Sequence, residues 1–418
     1  MKDIGWAPIV SEAQSARTGG RQALAHQLRD ARERTLALFA SSRAALGDAL
    51  VVPFSPELNP PLWELGHIGW FADWWIARNP QRGRGARADP QAPRTPARQA
   101  RRGLDADALY DSSRIAHALR WQLALPGADT TVMDLNASLQ DTLSLLEDAP
   151  DTDEGLYFFR LALFHEDMHA EAAVYMAQTL GHDPFAAGTL PHPHAPTIAQ
   201  PADGDTLSVP AMAWSMGHQG PGFAFDNELG TCTLHVPAFQ IDAAPVTWAR
   251  YLPFVEAGGY EQKKWWSEEG WAWRRAQEQQ APRYLQRSDR QRWARQCWGQ
   301  WLPLDLDDVA CHLSAYEAEA WCAWADRRLP SEAEWELAAH TVAGFEWGRV
   351  WEWTATPFAP YPGFEPHPYL DYSAPWFDGR PVLKGASQAT SPRMRHPKYR
   401  NYFERHRNDI VSGFRSVV

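Results

Sequence analysis

The sequence predicts an α+β multidomain protein, a helical bundle followed by a loop-rich α+β domain. Three observations carry the prediction. Apolar residues recur at three- and four-residue intervals from about Gly20 to Gly181, the chain turns abruptly Pro-rich between Gly181 and Gly204, and short β-like runs follow. The length of 418 residues exceeds one ordinary core and favours two domains, or three.

In chain order, ALAHQLRDARERTLALFASS, PPLWELGHIGWFADWWIARN, VMDLNASLQDTLSLLED and GLYFFRLALFHEDMHAEAAVYMAQTLG each carry an apolar stripe at helical spacing. Four such helices predict an up-down bundle over residues 1–183. Asn59, Pro60 and Pro61 mark a helix start, because proline fits the first turn, where its missing N–H has no partner to lose. The Arg-rich run from Arg78 to Arg102, interleaved with Pro, Gly and Ala, reads as a mobile loop. Residues 184–206 read as a Pro-rich linker whose His192 and His194 are solvated. From 207 to 418, runs such as TLSVPAMAWSMG and CTLHVPAFQIDAAPVT read as strands among short helices.

Hydrophobic content of 44% with 22% charged residues is that of a folded chain. Twenty-two Trp supply aromatic anchors, some of which can line a ligand site. A net charge of −11 argues against nucleic acid or an anionic membrane as partner, since the overall field repels both. No apolar stretch is long enough to span a bilayer and MKDIGWAPIV lacks a signal-peptide pattern, so a cytoplasmic location is expected. Cys232, Cys297, Cys311 and Cys322 lack CxxC spacing, which points away from a disulfide scaffold or a Cys-based zinc site.

The chemistry is carried by histidine. His165 and His169 stand at i and i+4, on one helix face, and His67 lies in the second helix, so facing helices can present three imidazoles to one metal ion. Three neutral nitrogen ligands leave positions open on iron, copper or zinc, as a catalytic metal needs. Glu166, Asp167 and Glu171 stand nearby as acceptors able to fix the imidazole tautomers.

The series SMGHQGPGFAFDNELG, HVPAFQIDAAPVTWARYLPFVEAGGY, WWSEEGWAW, RLPSEAEWELAA, VWEWTATPFAPYPGF and the terminal SGFR resembles the formylglycine-generating-enzyme/sulfatase-modifying fold, a C-type-lectin-like α+β module, over residues 207–418. With a DinB-like four-helix bundle bearing HxxxHxE ahead of it, the chain is similar to the non-haem iron synthases of ergothioneine, ovothiol and selenoneine, most of all the selenoneine synthases. The resemblance implies Fe(II) held by His67, His165 and His169, with Glu171 completing HxxxHxE, and Tyr372 as the catalytic tyrosine, with Tyr369 and Tyr402 as rivals. It implies O2-dependent bond formation at imidazole C2 of hercynine, the betaine of histidine. A phenol beside iron suits proton or electron donation, and Trp63, Trp70, Trp351 or Trp353 could hold the trimethylammonium group by cation–π contact.

Three departures from the family pattern bear on the substrate. The stretch usually reading RGGSW or RGGSC is KGASQ here, ending at Gln388; HEQQH is HEDMH, putting Met168 where a glutamine would hold the hercynine carboxylate; and an Arg-Trp pair before the terminal GxR is Asn408-Asp409. The segment LYDSSRIAHALRW resembles the selenoneine branch, whose donor is a selenosugar. A sugar lacks α-carboxylate and ammonium, so neutral groups suit it, and Gln388, Asn401, Asn408 and Asp409 are the candidates. The expected function is therefore C–Se bond formation on hercynine with a selenosugar. The alternatives are a sulfoxide synthase using γ-glutamylcysteine or cysteine, a zinc-stabilised carbohydrate-binding module, and a formylglycine-generating oxidase. The last needs a cysteine pair near GFR that Cys311 and Cys322 do not provide. The sequence leaves the oligomeric state open.

Overall fold

The computed structural model describes residues 7–186, 188, 190, 205–288 and 292–418. The expected linker, 184–206, lies mostly outside them, and its His192 and His194 wholly so. Ten α-helices are seen among the described residues: α1 (Ala7–Thr18), α2 (Arg21–Leu46), α3 (Pro61–Ala72), α4 (Ala106–Tyr110), α5 (Ala128–Glu147), α6 (Asp153–Leu180), α7 (Trp248–Glu256), α8 (Glu268–Ala276), α9 (Ala315–Trp324) and α10 (Glu332–Thr341). The four long amphipathic segments read from the sequence are α2, α3, α5 and α6, with α6 against α2 and α5 against α3.

Helix α6 is the axis of the molecule. Thr152 caps it by accepting from the Gly155 N–H, Asp153 and Glu154 complement its positive end, and Gly181 (φ 75°) closes it in the left-handed conformation. Its 28 residues span about 42 Å. Nearly every residue of α3 is buried, consistent with apolar residues all round, and the helix runs into a π-turn over Asp73–Ala77. Gly66 lets α3 meet Tyr110, since a Cβ there would lie 2.2 Å from the phenol ring.

The second half holds short strands: β1 (Thr206–Val209), β2 (Met212–Met216), β3 (Cys232–Val236), β4 (Phe239–Asp242), β5 (Leu285–Arg287), β6 (Trp293–Cys297), β7 (Gln300–Pro303), β8 (Trp351–Pro357), β9 (Pro381–Lys384), β10 (Asn401–Tyr402) and β11 (Ser412–Gly413). They form pairs β1–β4 and β2–β3, a meander β5-β6-β7 and a central sheet ordered β10-β9-β8-β11, in which only β11 runs parallel to its neighbour β8. One buried core runs from Leu24 and Phe158 in the helices through Phe225 to Trp335 and Phe414. Buried ion pairs stitch the halves together: Arg17 with Glu228 at 2.8 Å and Arg393 with Asp167 at 2.7 Å.

The Arg78–Arg102 run is not a mobile loop. Arg78 pairs with Asp107 (2.7 Å), Arg98 with Asp73 (2.8 Å), and the Arg94 guanidinium lies 4.9 Å from the Trp74 ring centre. Each of these arginines finds a carboxylate or an indole face on the bundle, so charge docks the segment instead of solvating it. The arginine of SGFR is also structural. Arg415 is fully buried, donates to Glu352 at 2.9 Å and to the Asp242 and Ala243 carbonyls.

Candidate metal centre

His165 and His169, one turn apart on α6, meet His67 of α3, and one ligand nitrogen from each lies within 4.8 Å of the others. His67 Nδ1–H donates to the Tyr110 carbonyl (2.8 Å) and His169 Nδ1–H donates to Glu64, which leaves the Nε2 lone pairs of both rings for a common centre. The Nε2 atoms of His165 and His169 meet at 3.1 Å, a contact that a shared proton or a cation must stabilise. Packing fixes the rings: Phe71 stacks on His165 with centroids 3.5 Å apart, and Trp63 stacks on His67 at 4.8 Å.

Burial, then the neighbouring His169 charge, pushes His67 down to about 3, and burial pushes His165 well below its ordinary value. Both rings are therefore neutral and able to ligate at neutral pH. Burial opposes ionisation of Glu64, but the charge and hydrogen bond of His169 prevail and bring it down to about 2, so it stays a carboxylate acceptor. The donor set fits a metal ion of borderline softness with open positions.

Glu64 was not among the acceptors expected from sequence. Those three face elsewhere: Glu166 binds Arg32, Asp167 binds Arg393, and Glu171 accepts from Trp351 Nε1, Ser387 and Thr390. Residues one, two and six positions past His165 point to other sides of a helix. Glu64 lies three residues before His67 on the same face of α3, which is the signal that could have found it. Glu64→Ala should weaken metal binding about 10–100-fold at unchanged secondary structure, read by anaerobic Fe(II) titration. Undiminished affinity would remove Glu64 from the centre.

Residues 193–349 match the sulfatase-modifying factor enzyme 1-like domain family. The chain is 30% identical to the hercynine oxygenase of Mycolicibacterium smegmatis over 94% of its own length and 98% of that protein. The chain belongs to the hercynine oxygenase family. The enzyme of that name from Mycolicibacterium thermoresistibile is also 30% identical, with 94% of each chain covered, and the Bos taurus formylglycine-generating enzyme is 26% identical over 44% of this chain and 50% of its own. An oxygenase-type enzyme with a sulfatase-modifying-factor-like domain behind a helical region is thereby established.

Around the triad of this hercynine oxygenase relative, Met168 and four tyrosines form one wall. Tyr372 is buried and stacked on Phe225 (4.3 Å), its hydroxyl meeting Tyr399 Oη at 3.2 Å and the Met168 sulfur at 3.9 Å, while Tyr402 donates to its carbonyl. Tyr369 comes nearer the metal ligands. Its ring lies 6.4 Å from that of His165 and 5.0 Å from Phe71, and its hydroxyl makes no hydrogen bond among the described residues. Burial raises both phenols, keeping them protonated. A single buried carboxylate clamps the loop that carries them: Asp226 accepts from the His367 N–H (3.3 Å) and from Ser373 Oγ.

The expected substrate residues scatter. Gln388 lines a separate cavity; Asp409 is bound by Arg407 at 2.6 Å; Asn408 accepts from Arg283 at 3.3 Å; and Asn401 lies in β10 with its side-chain oxygen taken by the Tyr402 N–H. Asp409 is thus held in an ion pair with Arg407. Of the tryptophans, Trp353 is a core residue bonded to the Leu313 carbonyl and Trp351 is engaged with Glu171, whereas Trp63 and Trp70 flank His67. Sequence reasoning also missed Arg120, whose guanidinium lies 4.0 Å from the Trp63 ring centre and donates to Asn59 at 2.7 Å.

Proposed function

We propose that this protein is an O2-dependent non-haem Fe(II) enzyme that joins a chalcogen donor to imidazole C2 of hercynine. The observation that carries the reading is the three-imidazole cluster with tautomers set by Glu64 and Tyr110, in a chain similar to hercynine oxygenases along nearly its whole length. In this reading residues 1–183 are a DinB-like metal-bearing bundle and residues 207–418 the formylglycine-generating-enzyme-like half. Fe(II), when held by His67, His165 and His169, supplies the one-electron chemistry with O2 that zinc cannot.

The chain's own residues do the rest. Glu64 and Tyr110 hold the ligand rings in register, and Phe71 and Trp63 wall the site against water. Arg120 offers a substrate carboxylate the cationic partner that Met168 does not. Tyr369, with a free hydroxyl beside His165, holds the phenolic proton, and Tyr372 supports the wall through Tyr399 and Met168. Tyr369→Phe should keep iron but slow product formation roughly 100-fold or shift the product distribution, with Tyr372→Phe the milder variant. The opposite order would return the role to Tyr372.

For the donor, the reading is a selenosugar, supported by the segment 109–121 and its neutral neighbour Asn59. A thiol donor, γ-glutamylcysteine or cysteine, stands second because both carry carboxylates that Arg120 would attract. The test is a competition: anaerobic Fe(II) enzyme, hercynine, equal selenosugar, γ-glutamylcysteine and cysteine, then O2, with products read by mass spectrometry. A hercynyl–selenium product is expected; a hercynyl–cysteine sulfoxide would move the chain to the sulfur branch.

A further inference from the structure

Further along α6, beginning five residues or about 7.5 Å past His169, the structure contains a cavity of about 770 Å³ that none of the three histidines lines. Its volume is that of a small-molecule pocket, about 300–1,000 Å³. What distinguishes it is unspent hydrogen-bonding capacity. Trp248 Nε1–H and Arg295 Nε–H are buried without partners, and the Tyr175 hydroxyl, the Gln388 amide and the Arg349 guanidinium make no hydrogen bond among the described residues. Buried polar groups are ordinarily satisfied, so the two orphaned donors, with three half-buried polar groups beside them on the same cavity, are matched to something that enters it.

The chemistry of that ligand follows from the lining. The unspent groups are chiefly donors, which calls for an acceptor-rich molecule. The carboxylates of the cavity are engaged: Asp308 pairs with Arg295 at 3.0 Å and Asp183 accepts from the Phe185 N–H at 2.8 Å. Glu346 feels the charge of Arg349 but makes no ion pair with it, so the Arg349 guanidinium is left for an anion. Tyr175 and Tyr284 supply flat walls for a ring.

We propose that this cavity is a second small-molecule site, separate from the triad, that takes an organic anion carried on a ring, with the carboxylate or phosphate at Arg349. The test is calorimetric titration of the full-length, metal-loaded protein under argon with glucose 6-phosphate, glucuronate, glucose and inorganic phosphate. One of the two anionic sugars should bind 1:1, identifying phosphate or carboxylate as the charged group, with glucose and inorganic phosphate at least about tenfold weaker. Arg349→Gln, or Gln388→Ala if the first variant folds poorly, should weaken that binding about tenfold, and His169→Ala should leave it intact. Saturation by neither anionic sugar, binding indifferent to both cavity variants, or binding lost in His169→Ala would overturn the proposal.

Discussion

His169→Ala is expected to abolish iron binding and O2-dependent turnover together while the chain stays folded. Two imidazoles remain, but His67 and His165 come from different helices, and the rim they leave has lost both a ligand and the Glu64 hydrogen bond that oriented it. Alanine is the best helix former and the position is partly exposed, so α6 tolerates the change. Iron per chain, measured after anaerobic loading and desalting, should fall from about one to trace, with unchanged far-ultraviolet circular dichroism. Full iron with preserved turnover would remove His169 from the centre.

Arg415→Met should produce the largest loss of stability. The guanidinium is fully buried, and its removal strands Glu352, itself inaccessible, without its counter-charge. Breaking such a pair costs about 3–5 kcal/mol, because the partner is left as an uncompensated buried charge. For a domain of this size that is a fall of roughly 10 °C in Tm. The Arg415→Met/Glu352→Gln double variant should recover part of it, since the stranded charge is then gone. A single variant that melts with the wild type would show that the terminal arginine does not hold the sheet to the β1–β4 edge.

The parts of the molecule legible in the sequence are those governed by a period. The stripes of α2, α3, α5 and α6 show as helices because packing repeats every three or four residues, and the same period places His165 beside His169. Non-local geometry was not legible. Spacing offered Glu166, Asp167 and Glu171 as acceptors, but which carboxylate meets His169 depends on the rotation of α3 against α6, and that chose Glu64. The arginines of 78–102 looked solvated because the carboxylates and indoles that dock them are distant in sequence or lie on another face. The loop 367–373 has no period, so nothing local could tell whether Tyr369 or Tyr372 faces the triad; the Asp226 clamp decides how the loop sits. Gln388 looked like a donor contact from its motif, yet the turn after β9 carries it to another cavity.

The central claim is that the triad uses ferrous iron and O2 to consume hercynine. Apo-protein titrated anaerobically with Fe(II) or with Zn(II), given hercynine and the donor mixture, then exposed to O2, tests it directly by following hercynine loss. Consumption should rise with Fe(II) until one ion per chain is bound and be absent with Zn(II). Hercynine left intact by the fully iron-loaded protein, or consumed equally with zinc, would contradict the account.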